Sequence, residues 1–186
     1  NVLLVDGRGA DSTSYGTSLF GADSFIRDTI STPEHGFLSI STQYQEADIE
    51  RRAGHLRHRY FILRDQAASG FSRTFTHQLH GNGTVSDGSF APSYDDHRAT
   101  WMTGSMRLHA VTHALGLPVT HETVNRLHAP SSGTFGTHDA MYSSVTAHSA
   151  VFHSVLYAGE QQEEIRTRVL LSRPDASAIH VQTSND

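Results

Sequence analysis

The chain contains no cysteine. That excludes a disulfide framework, thiol catalysis and cysteine-ligated zinc, so any bound metal must rest on His, Asp or Glu. The absence fits a protein that works in reducing cytosol. Lysine is missing as well, because all 14 basic residues are arginine. Lysine accepts ubiquitin, so its absence reads either as compositional drift or as avoidance of that modification inside a eukaryotic cell, the latter suiting an injected bacterial protein. No apolar run reaches membrane-spanning length. The net charge of -5 lacks the basic excess that non-specific nucleic-acid binding needs. No charged-then-apolar leader opens the chain at Asn1, so a targeting segment is expected to be absent or removed.

What is present is histidine, 14 of them in 186 residues. No internal repeat or linker divides the sequence, so residues 1–186 are read as one domain. Apolar runs and alternation predict strands over Val2–Val5, Phe37–Ser41, Tyr60–Leu63, Phe71–Leu79 and Ala178–Gln182. Helical spacing predicts helices over Leu19–Ile30, Gln43–Ala53, Arg98–Leu115 and Val145–Glu164. Gly, Asp and Pro clusters predict loops over Asp6–Gly16, Gly81–Asp96 and Ala129–His138. Strands and helices without regular alternation predict an α+β fold.

The stretch from Arg98 to Leu115 carries the chemistry. On a helix, Met102, Met106, His109 and His113 share one face. Two histidines at i and i+4 on a helix can hold one zinc ion between them. Gly116 and Pro118 then stop the predicted helix. His121, His128, Glu160 and Glu163 are further candidates for a third ligand.

The run Leu108-His109-Ala110-Val111-Thr112-His113-Ala114-Leu115-Gly116-Leu117-Pro118 resembles the HExxH helix and helix exit of zinc peptidases. Downstream, Gly136-Thr137-His138-Asp139-Ala140-Met141-Tyr142 resembles the GTxDxxY element of aspzincins, the deuterolysin-like zinc peptidases. The resemblance implies a zincin-like domain in which an active-site helix carrying HxxxH packs on a small mixed sheet. It implies zinc held by His109, His113 and Asp139, with a water in the fourth position. Tyr142 would stabilise the tetrahedral transition state. The resemblance covers about thirty-five residues, and Ser143 stands where deuterolysins have glycine. The whole is similar to the secreted effector proteases of enteric bacteria that cut Rel-family (NF-κB) transcription factors. It implies delivery to host cytosol and a host protein substrate, with neither nucleic acid nor membrane as partner.

Ala110 occupies the position of the HExxH glutamate, the general base. Alanine cannot take a proton from zinc-bound water. The expectation is therefore a zinc endopeptidase in an inactivated form, with Ala110→Glu restoring cleavage. Two alternatives stand beside it. Phe37-Leu38-Ser39-Ile40-Ser41-Thr42 resembles the Ser-Thr-Ser strand of ADP-ribosylating toxins, with Asp96-His97-Arg98 nearest to their acidic pair. A non-catalytic zinc-binding interaction module is the other.

Overall fold

The computed structural model describes residues 3–10, 24–56, 60–81, 88–131, 134–160, 163–173 and 176–184. Twelve strands run through them: β1 (Leu3–Val5), β2 (Ser24–Ser31), β3 (His35–Tyr44), β4 (Ala47–Leu56), β5 (Tyr60–His80), β6 (Gly88–Ser93), β7 (Arg98–Thr103), β8 (Met106–Ala114), β9 (Thr120–Ser131), β10 (Thr134–Glu160), β11 (Ile165–Ser172) and β12 (Ser177–Thr183). There is no helix among the described residues. The α+β zincin expectation is therefore corrected to an all-β architecture, and the active-site helix does not exist.

Two long strands, β5 with 21 residues and β10 with 27, organise everything else. Each belongs to two layers. In one layer the strand order is β2-β3-β4-β5-β10-β8-β7-β6. In the other, the second half of β5 and the first half of β10 pair, with β1 beyond β5 and β9 beyond β10. All these pairings are antiparallel. The β5–β10 ladder shifts register between Ala147 and Ser149, opposite the stretch from Ala68 to Arg73 that contains Gly70. There the pair of strands turns over and brings its two halves face to face.

The space between the layers holds two apolar groups. One joins Leu3 and Val5 of β1 to Ile49 of β4, Phe75 of β5 and Phe152 of β10. The other packs Leu79, Ala99, Trp101, Ala110 and Met141. A separate hairpin, β11–β12, covers the outward face of the first layer, where Ile165 meets Val111, Val155 and Tyr157. On β8 the alternation of a strand sends Ala110 and Leu108 inward, and Val111 with its neighbouring histidines outward toward the hairpin.

Each predicted helix has a physical reason for being a strand. Residues four apart share a face on a helix, but they also share a face on a strand, whose side chains repeat every two. The four-residue step from His109 to His113 did not separate the two periods, whereas the three-residue step from Met106 to His109 suits only a helix. Arg98–Leu115 is β7 and β8, joined at the two-residue turn Gly104-Ser105, with Gly104 at a φ of 59°. Gln43–Ala53 is the end of β3 and most of β4, joined at Gln45 and Glu46, both at positive φ (51° and 58°). That hairpin turn normally calls for Asn or Gly, so a Gln-Glu pair hides it. Val145–Glu164 falls mostly in β10. Of Leu19–Ile30, the part from Ser24 lies in β2, and residues 19–23 lie outside the described residues.

The strand predictions fared better. Of Val2–Val5, residues 3–5 form β1 and Val2 lies outside the described residues; Phe37–Ser41 and Ala178–Gln182 fall within β3 and β12, and Tyr60–Leu63 and Phe71–Leu79 are both parts of β5. The loop predicted over Gly81–Asp96 contains β6, and that over Ala129–His138 overlaps β9 and β10.

Candidate functional site

Among the described residues, a cluster of titratable groups lies where the β6–β7 turn meets β8 and β9. His97 ends that turn at a φ of 54°, a left-handed conformation that orients its ring away from the strand path. Its backbone N–H donates to Tyr94 O at 3.0 Å, and its carbonyl accepts from Thr112 N at 2.9 Å. The first bond closes the turn on itself and the second ties it to β8.

Three imidazoles meet there. The His97 ring centroid is 5.0 Å from that of His113 on β8 and 5.0 Å from that of His121 on β9. His97 Nδ1 and His121 Nε2 share a hydrogen bond of 2.7 Å. His121 Nδ1 is 2.9 Å from the hydroxyl of buried Ser143. His113 Nε2 reaches Thr167 Oγ1 on the covering hairpin at 2.9 Å. Tyr94 stacks on His121 with an interplanar angle of 14° and bonds Thr123 through its hydroxyl at 2.7 Å.

Burial first, and then the neighbouring His97, hold both His113 and His121 down at a pKa of about 4. Both rings are therefore neutral at neutral pH. Two tautomer patterns satisfy the line Ser143–His121–His97, one donating toward His97 and the other toward Ser143. Beside it opens a cleft of about 440 Å³, lined by Asp95, Asp96, His97, His113, Glu164 and Arg166 among others. Its rim mixes both signs of charge, and Asp96 accepts from Ser93 Oγ at 2.7 Å and Arg98 Nη2 at 3.2 Å.

The residues expected to bind zinc are dispersed over this frame. His109 and His113 sit on β8, where four residues span about 13 Å. His109 bonds Thr100 Oγ1 through Nδ1 at 2.9 Å and the Glu163 carbonyl through Nε2 at 3.2 Å. His113 is in the cluster just described. Asp139 lies on the first half of β10 and accepts from Asn125 of β9 at 2.9 Å. Tyr142 is in the second layer, where its ring meets the edge of His80, and His80 bonds His138 at 2.7 Å. Ala110 is fully buried against Leu79 and Trp101, so it is a core alanine, and no catalytic carboxylate belongs there. Among the described residues no group of three or more His, Asp or Glu is arranged to hold a metal ion.

Of the expected residues, then, the structure joins His113 to His121, one of the further ligand candidates. His97, the residue that links them, falls between the predicted loop Gly81–Asp96 and the predicted helix Arg98–Leu115, and enters the sequence reading only within Asp96-His97-Arg98. The signal for it was present: Tyr94-Asp95-Asp96-His97 between two apolar alternations is a hairpin connection.

No protein-family model matches the chain, and no curated protein matches it. Solved structures do. A heparinase III gene product superposes with a TM-score of 0.79 at 9% identity, over 98% of this chain and 28% of that one. The crystal structure of heparinase III gives 0.78 at 12% identity over 100% of this chain and 28% of that one. Heparan sulfate lyase HepC from Pedobacter heparinus gives 0.70 at 14% identity over 89% of this chain and 25% of that one. At such identities the likeness is one of fold, a β-sheet fold present in polysaccharide lyases. The chain spans about 28% of the length of the heparinase III structures it matches.

These findings overturn the peptidase reading. The neighbours are lyases and not zinc endopeptidases. The likeness to lyases lends no support to the host-protease and effector assignments, to the ADP-ribosylating alternative or to the zinc-module alternative.

Proposed function

We propose that this chain is the β-sheet part of a lyase acting on an acidic polysaccharide of the heparan sulfate type, and that it contributes polysaccharide binding to that reaction. One observation carries the reading: nearly the whole chain superposes on a region of two heparinase III structures and a heparan sulfate lyase, with TM-scores of 0.70 to 0.79. The chain corresponds to only about a quarter of those proteins, so a holding role fits it better than the complete elimination chemistry.

The net charge of -5 sharpens the test. A protein of that charge is repelled as a whole by an acidic polymer, so retention by one reports a local site. The experiment is affinity electrophoresis of the chain through gels containing heparan sulfate, with a neutral glucan gel as reference. Retardation in the heparan sulfate gel alone is the expected result. Equal mobility in both gels overturns the reading.

A further inference from the structure

We infer that the outward face of the β2–β5 region is a sugar-binding groove in which Arg27 takes the anionic group of an acidic sugar and Phe25 takes its ring. This rests on the polysaccharide reading above and gives it a place on the molecule. The groove measures about 660 Å³ and is lined by Phe25, Arg27, Ser41, Gln43, Glu50 and Gln66 among others. That volume falls in the range of roughly 300–1,000 Å³ typical of small-ligand clefts.

The local backbone prepares Arg27. The β2–β3 ladder runs Ile26↔Ile40 and then Asp28↔Ser39, so Arg27 is the extra residue of a β-bulge. Bulges re-aim a side chain. Here the guanidinium carbon lies 5.2 Å from the Phe25 ring centroid, and Nε donates to Ser41 Oγ at 2.6 Å. A guanidinium fixed through Nε and a ring face presents its two terminal nitrogens as a fork, the geometry that grips a carboxylate or sulfate.

The carboxylates of the groove are already engaged. Asp48 accepts from Gln43 Nε2 at 2.9 Å, and Glu50 from Arg52 Nε. Arg27 has no carboxylate partner among the described residues, so the groove keeps one cation for a ligand. Phe25 is 53% exposed on an edge strand whose side chains all stand open to solvent. An exposed ring beside hydrogen-bonding Gln43, Gln66 and Ser41 suits a pyranose, which has an apolar C–H face and a polar rim.

The anion can be a uronate carboxylate or a sulfate, and the test separates them. Binding of the full chain is titrated calorimetrically with three oligosaccharides: heparan sulfate, its unsulfated counterpart that keeps the uronate, and a neutral glucan. Arg27→Ala is expected to weaken binding roughly ten- to a hundred-fold, and Phe25→Ala roughly two- to tenfold. Arg27→Lys, a point charge without the fork, recovers part of the loss. Arg168→Ala, on the covering hairpin, serves as a charge control and leaves binding unchanged. Both groove positions are exposed, so circular dichroism and melting temperature stay as in the parent.

Equal affinity for the sulfated and unsulfated acidic chains assigns Arg27 to the carboxylate, and a preference for the sulfated one assigns it to sulfate. Heparan sulfate binding that survives both groove substitutions overturns the groove while leaving the polysaccharide reading intact. Equal binding of the neutral glucan overturns the role given to Arg27. No binding of any oligosaccharide by the parent chain overturns both.

Discussion

Asp65 and His77 lie twelve residues apart on one strand, yet His77 Nε2 is 3.1 Å from Asp65 Oδ2. A straight strand would separate them by about 40 Å, so the contact records β5 turning back on itself. Arg51 of β4 closes the group, with Nε 2.6 Å from Oδ1 and Nη2 2.7 Å from Oδ2. Asp65 and His77 are each 1% exposed. Burial alone would raise the Asp65 pKa, but the hydrogen bonds from Arg51 and the His77 ring close beside it outweigh burial and bring it to about 2. Asp65→Ala leaves Arg51 without its anion at the inter-layer space, and breaking such a buried pair costs roughly 3–5 kcal/mol. Urea denaturation should show the midpoint falling with an unchanged slope. A loss under about 1 kcal/mol would mean that the two halves of β5 are held together without this pair.

Ala110→Glu separates the lyase-like fold from the peptidase motif in a single substitution. On an HExxH helix it would restore cleavage. In this structure position 110 is fully buried against Leu79, Trp101 and Met141. A carboxylate there must be desolvated without a partner, at a cost on the order of several kcal/mol. The expected outcome is loss of the cooperative thermal transition and no peptidase activity. A folded, cleaving variant would contradict the core position of this residue.

Acid should weaken the fold before the carboxylates titrate. His113 and His121 have a pKa of about 4 in the folded chain, against 6.5 for an ordinary histidine. The unfolded chain therefore binds protons that the folded chain refuses between pH about 6.5 and about 4, and stability falls as pH falls through that window. The Asp65 contribution is lost lower, as pH falls from the ordinary 3.8 toward about 2. Melting temperature measured against pH should decline across the histidine window. His121→Gln should flatten the decline, and an identical slope in that variant would remove His121 from the cause.

Gly81 closes β5 against the single tryptophan of the chain. A Cβ at that position would sit 2.4 Å from Trp101 Cδ1 and Nε1. The indole is 6% exposed and donates Nε1–H to the Asp139 carbonyl at 3.3 Å, so it has little room to move. Gly81→Ala should cost roughly 1–3 kcal/mol through overpacking. Because Trp101 is the only tryptophan, its fluorescence reports the displacement directly. An unchanged emission maximum and midpoint would show that the ring yields freely.

By itself the sequence determined the short-range facts. It excluded disulfides and thiol chemistry, and apolar alternation marked parts of β1, β3, β5 and β12 where they lie. It also flagged His113 and His121 as chemically interesting, and the structure puts both in one cluster. Helix against strand was decided elsewhere. His109 and His113 share a face under either period, and the Gln45-Glu46 turn carries none of the residues that usually announce a hairpin. In β10 a 27-residue strand gains its stability from pairing with β5, β8 and β9, contacts distant in sequence that no local window contains. The same long-range pairing brings His97 to His121 and Asp65 to His77, and the register of the β2–β3 hairpin brings Arg27 to Ser41. Only the tertiary structure could decide those meetings, because strand register is fixed by partners that the chain reaches after folding back on itself.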